Sequence, residues 1–323
     1  MIRVAVAGAG HFGKEHARIY ADSAGARLVA VCDVNASTGT AVAERYGAEF
    51  VSDYRELIGR VDAVSIAVPT VSHCAIACEL LEAGISALIE KPISQTLDEA
   101  DAIIAAAKRG RAVVQVGHLE RFNPAVAATS GIVTRPLFFE AHRLSVFTPR
   151  SLDIDVVMDL MIHDIDVVLS FVDSNVLEVR AAGVPILTPK VDIANARIEF
   201  ENGCVANLTA SRVSGERVRK LRFFQPHQYV SIDYSAQEAS VVSVKPGASG
   251  KLMFDNRSLP VERDEPLKLE IESFIRAVEG APVRVTGEDA RRALALAVEI
   301  TNKIREHAGR AGIDANSGIP RLA

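Results

Sequence analysis

The fold is decided at the start of the chain, where Ile2–His16 reads IRVAVAGAGHFGKEH. A short apolar run typical of a strand leads directly into G-x-G-x-x-G, and a helical pattern follows. Gly8 permits the tight turn, Gly10 lets a pyrophosphate approach the backbone, and Gly13 lets helix and strand pack closely. The phosphates of a dinucleotide are expected at the N-terminus of this helix, beside His11 and Phe12.

Asp33 completes this pattern, because it ends the second strand 20 residues after Gly13. A carboxylate there accepts hydrogen bonds from the adenosine ribose and repels a 2′-phosphate. The sequence therefore predicts a dinucleotide site, with NAD favoured over NADP as the cofactor.

The first 120 residues alternate strand and helix patterns, which predicts a Rossmann-type doubly wound parallel sheet and an NAD-binding domain over residues 1–120. After Gly117 the strands lengthen and alternate apolar with polar residues, and Asn202-Gly203 is a strong hairpin signal. Residues 121–323 are expected to form an α+β domain on an open, mostly antiparallel sheet. Two closing helices are expected at Leu267–Glu279 and Glu288–His307, before a loosely held tail from Gly309. The fold class is α/β.

Composition excludes several other classes of protein. The 323-residue chain suits two domains, and its net charge of −5 argues against a general nucleic-acid binder. It contains no apolar run of the roughly 18 residues that span a bilayer. The first strand begins at Ile2, which leaves no room for a signal peptide, so a cytoplasmic protein is expected. The four cysteines show no disulfide or zinc spacing, and no metal is expected.

Two stiff turns follow later strands, at the edge of the sheet where ligands bind. One is Val68–His73, VPTVSH, in which Pro69, Thr70 and His73 are candidate cofactor contacts. For His73, a contact near the cofactor and a hydrogen-bonded surface histidine are equally favoured. The other turn is Glu90-Lys91-Pro92, where the Lys-Pro bond is a candidate cis peptide.

A polar stripe runs through the apolar stretch Met158–Asp166, MDLMIHDID. Read as a helix, Asp159, His163 and Asp166 fall within about 60° of one another, and Ser170 joins them. Burying carboxylates and an imidazole costs several kcal/mol unless they are paired or used, so the stripe is a candidate functional site.

These stretches together resemble the glucose–fructose oxidoreductase/inositol dehydrogenase (Gfo/Idh/MocA) family. The likeness is carried by GAGHFG, PTVSH, EKP, VGHLERFNP, DLMIHDID and DARRALALA, and it spans almost the whole chain. It implies a Rossmann domain followed by an α/β domain, and a homodimer or homotetramer joined through the second sheet.

The resemblance also implies site residues. The lysine of the family motif falls on Lys91 beside the nicotinamide, and its D-x-x-x-H pair falls on Asp159 and His163. Glu90 joins the cofactor contacts, and these catalytic residues together with Arg121, Asn123 and Arg143 are the expected substrate contacts. One departure is that Met161 stands where the family has glycine, for which altered packing is expected.

The implied chemistry is oxidation of a secondary alcohol. A histidine, with an ordinary pKa near about 6.5, suits removal of the hydroxyl proton, and Lys91 would favour the developing alkoxide. Asp159 would bind a neighbouring hydroxyl or orient the imidazole.

The substrate is indicated less directly. The stretch from Ser211 to Tyr234 groups five cations (Arg212, Arg217, Arg219, Lys220, Arg222), which suits a diphosphate but suits a solvated or interface run equally well. The resemblance is to the nucleotide-sugar branch, which implies oxidation of the 3-hydroxyl of UDP-N-acetylglucosamine to a 3-keto sugar for lipid A biosynthesis. A free-sugar or myo-inositol dehydrogenase is the first alternative, and a non-catalytic NAD-binding regulator is the second.

Overall fold

The computed structural model describes residues 1–148, 154–247 and 251–312. These residues form two compact units. Unit 1 consists of Met1–Phe122 and Asp264–Leu294, and unit 2 consists of Asn123–Arg263 and the chain from Ala295 onward. Among the described residues, no helix combines the length and apolar character needed to cross a membrane.

Unit 1 is built on a six-stranded parallel sheet in the order β3-β2-β1-β4-β5-β6. Its strands are β1 (Ile2–Ala7), β2 (Ala26–Cys32), β3 (Glu49–Val51), β4 (Ala63–Ile66), β5 (Ser86–Glu90) and β6 (Val114–Gly117). The order reverses between β1 and β4, which is where such a sheet binds its ligand. The predicted Rossmann architecture is confirmed.

The helices of unit 1 begin and end where their sequence predicts. They are α1 (His11–Asp22), α2 (Ala36–Tyr46), α3 (His73–Glu82) and α4 (Leu97–Gly110). Asn35 caps α2, which ends at Gly47 with a left-handed φ of 66°. Thr96 and Glu99 form a capping box at the start of α4. On α3, Cys74 and Cys78 are free thiols with their sulfurs 3.9 Å apart.

Unit 2 is built on an eight-stranded sheet in the order β14-β13-β12-β11-β7-β10-β9-β8. Its strands are β7 (Phe138–Leu144), β8 (Val176–Val184), β9 (Ile193–Phe200), β10 (Val205–Ser211), β11 (Val218–Gln225), β12 (Gln228–Asp233), β13 (Glu238–Pro246) and β14 (Leu252–Ser258). All neighbours pair antiparallel except β7 and β10. The predicted hairpin is confirmed at Asn202-Gly203, where Gly203 has a φ of 83° between β9 and β10.

The helices of unit 2 include α5 (Pro124–Ser130) and α6 (Ile162–Phe171). One turn of π-helix, Val157–Met161, precedes α6. The even 3.6-residue spacing assumed for the polar stripe therefore holds only from Ile162 onward, which corrects the simple helical interpretation. π-turns of this kind occur most often at functional sites.

Two helices complete the chain, α7 (Pro266–Val278) and α8 (Gly287–Ala311). The sequence division placed both in the second domain, but residues 264–294 belong to unit 1 by their contacts. The reason is the apolar face of α7, on which Leu267, Ile271 and Phe274 join the core that contains Val4 and Tyr20. The tail expected from Gly309 begins within α8, and residues 313–323 lie outside the described part of the chain.

This placement of α7 predicts the effect of Phe274→Ala. The fully buried ring lies in the core of unit 1, so its removal should lower the free energy of unfolding by about 3–5 kcal/mol. Urea denaturation measures the loss. Arg276→Ala on the exposed side of the same helix is the control and should change stability by less than about 0.5 kcal/mol. Equal effects of the two variants would contradict the assigned packing.

Candidate active site

The glycine turn after β1 has the geometry of a dinucleotide site. Gly8 has a φ of 96°, and a Cβ there would lie 2.5 Å from the carbonyl oxygen of Ala67. A Cβ on Gly13 would lie 1.7 Å from the Gly8 carbonyl oxygen, so only glycine lets α1 approach β1 this closely. At Gly10, no described heavy atom lies within 4 Å of the Cβ position, which leaves the backbone open to a ligand.

The first turn of α1 is available to phosphate oxygens. Gly10 is the N-cap residue and offers no side-chain cap, so the N–H groups of the first turn are satisfied by nothing within the helix. His11 and Phe12 are both exposed beside this turn, with their rings edge-to-face 5.5 Å apart. These residues fit the pyrophosphate of a dinucleotide.

Hydrogen bonds hold the Asp33 carboxylate against the same turn. Its Oδ2 accepts a hydrogen bond from the Ala9 N–H at 2.6 Å, and its Oδ1 accepts one from the Asn35 N–H at 2.7 Å. The carboxylate is therefore oriented before any ligand arrives, and its remaining lone pairs can meet a ribose diol.

Lys91 lies at the carboxyl end of β5, partly exposed, and its bond to Pro92 is cis as the sequence indicated. Pro69 and Thr70 follow the neighbouring strand β4, where a 3₁₀ turn over Thr70–Ser72 leads into α3. Both remain exposed or partly exposed. Their roles as cofactor contacts stay predictions.

His73 corrects one interpretation of the sequence, because it is 1% exposed and lies between two backbone carbonyls. Its Nδ1 lies 3.0 Å from the carbonyl oxygen of Pro92, and its Nε2 lies 2.9 Å from that of Val68. Burial lowers the pKa of His73. The ring is therefore buried between the two strand-end turns rather than on the surface, and its role as a cofactor contact stays a prediction.

A chain of buried polar groups reaches the same strand end from α1. Tyr20 and His16 both bond to Ser65 on β4, with Oη···Oγ at 2.8 Å and Nδ1···Oγ at 2.9 Å. The other nitrogen of His16, Nε2, lies 3.0 Å from Oε1 of Glu90. Buried side chains of α1 and β4 therefore fix the position of the Glu90 carboxyl group.

Three further buried residues lie here that the sequence predictions did not include, namely His16, His118 and Glu270. His118 has no hydrogen-bond partner for either ring nitrogen among the described residues, and burial, with a smaller effect of Lys91, lowers its pKa to about 3. The signal for Glu270 was present, because it lies three residues after Leu267 and four before Phe274, on the apolar face of α7. A carboxylate on such a face is a candidate for function.

In unit 2, the polar stripe is divided between partly and fully buried groups. Asp159 lies in the π-helical turn, and both it and His163 remain partly exposed. Asp166 is 2% exposed, and Met161 is fully buried, which is consistent with the packing role expected for it. Ser170 turns back to donate to the carbonyl oxygen of Val167 at 2.7 Å.

Two of the predicted substrate contacts are engaged within unit 2. Asn123 caps α5 by accepting from the Ala125 N–H, and it donates to the Tyr234 carbonyl at 3.0 Å. Arg143 is 3% exposed and makes a bidentate pair with Asp164 at 2.7 and 3.0 Å. These bonds give both side chains a structural role within unit 2, and their roles as substrate contacts stay predictions.

Arg121, in unit 1, is partly exposed at the end of the 3₁₀ turn Leu119–Phe122 and donates to the Arg284 carbonyl at 3.2 Å. Its role as a substrate contact stays a prediction.

The basic segment of unit 2 is largely paired. Lys220 lies 3.4 Å from Asp233, and Arg222 lies 3.1 Å from Glu140. Arg212 is buried and bonds to the carbonyl of Ile154. These ion pairs favour the alternative in which the basic segment is a solvated or interface run of charges rather than a diphosphate site.

Comparison with known proteins agrees with this geometry. The model of the GFO/IDH/MocA oxidoreductase family, described as an NAD-binding Rossmann fold, matches residues 2–118, and the family's C-terminal domain model matches residues 99–225. The chain belongs to the GFO/IDH/MocA family of NAD-binding oxidoreductases. The resemblance inferred from the motifs and the cofactor inferred from the glycine turn are confirmed.

Individual relatives extend this match over almost the whole chain. The UDP-N-acetylglucosamine 3-dehydrogenase of Acidithiobacillus ferrooxidans is 38% identical over 93% of this chain and 96% of its own. The solved structure of that enzyme superposes with a TM-score of 0.88 over 94% of this chain and 98% of its own, at 36% identity. An inositol 2-dehydrogenase of Rubrobacter xylanophilus is 36% identical over 66% of both chains.

The locked carboxylate predicts the outcome of changing Asp33. Asp33→Ala should weaken NADH binding about tenfold and reduce the preference for NADH over NADPH, because it removes the ribose acceptor and the bond to Ala9. Fluorescence titration with each cofactor measures both constants. Asp53→Ala, an exposed carboxylate that caps the turn after β3, is the control and should leave both constants unchanged. An Asp33→Ala protein with wild-type affinity would show that the ribose lies elsewhere.

Proposed function

We propose that this protein oxidises the 3-hydroxyl of UDP-N-acetylglucosamine to a 3-keto nucleotide sugar, with NAD as the oxidant. The observation that carries the proposal is the 38% identity, over nearly the full length of both chains, to a UDP-N-acetylglucosamine 3-dehydrogenase. A 3-keto sugar is the form that an aminating enzyme can convert to a 3-amino sugar, and we propose that the reaction belongs to lipid A biosynthesis in the cytoplasm.

The proposed roles follow from the chemistry of the side chains. NAD supplies the acceptor for the hydride when it is bound. His163 removes the proton of the 3-hydroxyl, and the ammonium of Lys91 stabilises negative charge on that oxygen as the carbonyl forms. Asp159, one turn before His163, orients the imidazole or binds the neighbouring hydroxyl. Arg121, Asn123 and Arg143 are candidates for further substrate contacts.

A second candidate is oxidation of myo-inositol, which is favoured by the 36% identity to an inositol 2-dehydrogenase. That match covers 66% of the chain, compared with 93% for the nucleotide-sugar enzyme. The same three catalytic residues would serve both reactions, so the substrates must be compared directly.

The roles proposed for Lys91 and His163 predict that changing either residue affects turnover but not cofactor binding. Lys91→Ala and His163→Ala should each lower kcat by at least about 100-fold and leave the Kd for NADH within about threefold, because both act on the reacting oxygen. NADH absorbance is followed with UDP-N-acetylglucosamine and, in parallel, with myo-inositol.

Turnover of myo-inositol alone would establish the second candidate. NADH binding without turnover of either compound, or of a wider sugar panel, would indicate a non-catalytic NAD-binding regulator. Loss of NADH affinity in the two alanine variants would show that their roles are misassigned.

We also propose that the protein is a homodimer or homotetramer joined through the sheet of unit 2. One face of this sheet carries the buried residues, whereas the other leaves Phe224 40% exposed beside Phe138 and Tyr229, at centroid distances of 6.0 and 5.1 Å. Partly exposed aromatic groups among paired charges are typical of an interface.

Light scattering coupled to size exclusion tests the assembly. Wild type should elute as a dimer or tetramer, and Phe224→Glu should shift the mass toward the monomer. Val71→Glu, at an exposed site on unit 1, is the control and should not change the mass. A monomeric wild type would contradict the proposal.

A further inference from the structure

The Glu90 carboxylate is the last group of β5 before Lys91, and the fold holds it by hydrogen bonds. Its Oε1 lies 3.0 Å from Nε2 of His16, and its Oε2 accepts from the Lys91 N–H at 3.3 Å. The side chain of residue 90 therefore folds back onto the backbone of residue 91. Whatever fixes this carboxylate also fixes the backbone from which the Lys91 side chain begins.

The hydrogen bonds that connect Tyr20, Ser65 and His16 can all donate in the same direction along the chain. Tyr20 and Ser65 are buried, and the Ser65 hydroxyl lies between the Tyr20 hydroxyl and Nδ1 of His16. If Tyr20 donates to Ser65 and Ser65 donates to Nδ1, then Nε2 of His16 carries the proton and donates it to Glu90. This order satisfies each group and makes the Glu90 carboxyl oxygen the acceptor at the end of the chain.

Glu270 approaches the same carboxylate from α7. It is fully buried, and neither carboxyl oxygen has a hydrogen-bond partner among the described residues. One carboxyl oxygen of Glu270, one of Glu90 and a ring nitrogen of His16 all lie within 4.8 Å of one another. Gly117, at the end of β6, makes this possible, because a Cβ there would lie 3.3 Å from an oxygen of each carboxyl group.

Two ionised carboxylates at this separation in a buried site would repel each other strongly. Burial, and secondly the charge of Glu90, raises the pKa of Glu270 well above its ordinary value, which favours its protonated form. The titratable groups facing it are Glu90 on β5 and both His16 and Tyr20 on α1. Of these, the Glu90 carboxylate offers acceptor oxygens, one of which lies within 4.8 Å of a carboxyl oxygen of Glu270.

We propose that Glu270 is a positioning residue for Lys91, acting as the third donor to the Glu90 carboxylate alongside His16 and the Lys91 N–H. This inference rests on the proposed function for the catalytic meaning of Lys91. It assigns to the helix that follows unit 2 a direct part in holding the catalytic turn of unit 1. Glu270 does not touch the reacting atoms.

The test compares Glu270→Gln with Glu270→Leu in the full-length protein. Glutamine keeps a neutral donor of the same shape, so kcat should stay within about threefold of wild type. Leucine removes the donor, so kcat should fall at least about tenfold while KM and the Kd for NADH stay within about threefold. Glu272→Gln and Glu272→Leu, two residues along on the same helix, are matched controls that should leave all three constants unchanged.

A second readout does not depend on turnover. The rate at which an amine reagent labels Lys91, measured by peptide mass spectrometry, should rise at least about threefold in Glu270→Leu and stay unchanged in Glu270→Gln. If wild type oxidises no sugar, the proposed function fails, but the labelling rates still decide the inference. Equal labelling in wild type and Glu270→Leu would overturn it.

The protonation state of Glu270 also affects how the stability of the protein depends on pH. A Glu whose pKa is raised in the fold contributes stability that is complete below the unfolded pKa of about 4.3 and is lost as pH rises toward the folded pKa. Glu270→Gln has no such loss. The Tm of this variant minus the Tm of wild type should therefore increase by ~3 °C or more between pH 5 and pH 9. A constant difference between the two proteins would overturn the inference.

A cation is the competing occupant of the same three side chains. Stoichiometric binding of Zn²⁺ or Mn²⁺ by wild type and not by Glu270→Gln, measured by calorimetry after chelator treatment, would make the cluster a metal site and overturn the positioning role. No stoichiometric binding is the expected result.

Discussion

The close approach of α1 to β1 at Gly8 and Gly13 is the constraint on which the rest of unit 1 depends. With a carbonyl oxygen only 1.7 Å from the position of a Cβ on Gly13, no other residue lets the helix lie so near the strand. That approach opens the backbone at Gly10 to a pyrophosphate. It also carries His16, one turn after Gly13, into the interior beside β4 and β5. The same glycine turn therefore shapes the dinucleotide site and brings His16 beside Glu90, which precedes the proposed catalytic residue Lys91.

The strand ends of unit 1 are joined by buried side chains rather than left as independent loops. His73 links the turn after β4 to the turn after β5 through the carbonyls of Val68 and Pro92. His16 links α1 to Glu90, and Glu270 reaches Glu90 from α7. A catalytic group at the end of a strand needs this kind of support, because a displacement of about 1 Å can cost on the order of 100-fold in rate. The buried polar groups are located where such precision is required.

The sequence predicts most of the fold because its signals are local. Glycine spacing, strand alternation and the Asn202-Gly203 hairpin each act within a few residues, and the structure has them where expected. The side chains whose surroundings the sequence does not show have distant partners. Asn123 bonds to Tyr234 more than 100 residues away, and His73 lies between carbonyls of two separate turns. Sequence spacing shows which residues can do chemistry but not which ones are already occupied by the fold.

The chain returns to unit 1 in α7, and this return also depends on contacts between residues far apart in the sequence. The last strand of the parallel sheet, β6, ends at Gly117, but the sheet is not the whole unit. The core of unit 1 includes Leu267, Ile271 and Phe274 of α7, so a fragment ending at Phe122 would leave the apolar faces of α1 and β1 uncovered. It would also lack Glu270. Because α7 supplies both core packing and a carboxyl group beside Glu90, one helix contributes to the stability of unit 1 and to the surroundings of the Glu90-Lys91-Pro92 turn. The proposed positioning role gives a reason for a glutamate on a face that packing alone would fill with an apolar side chain.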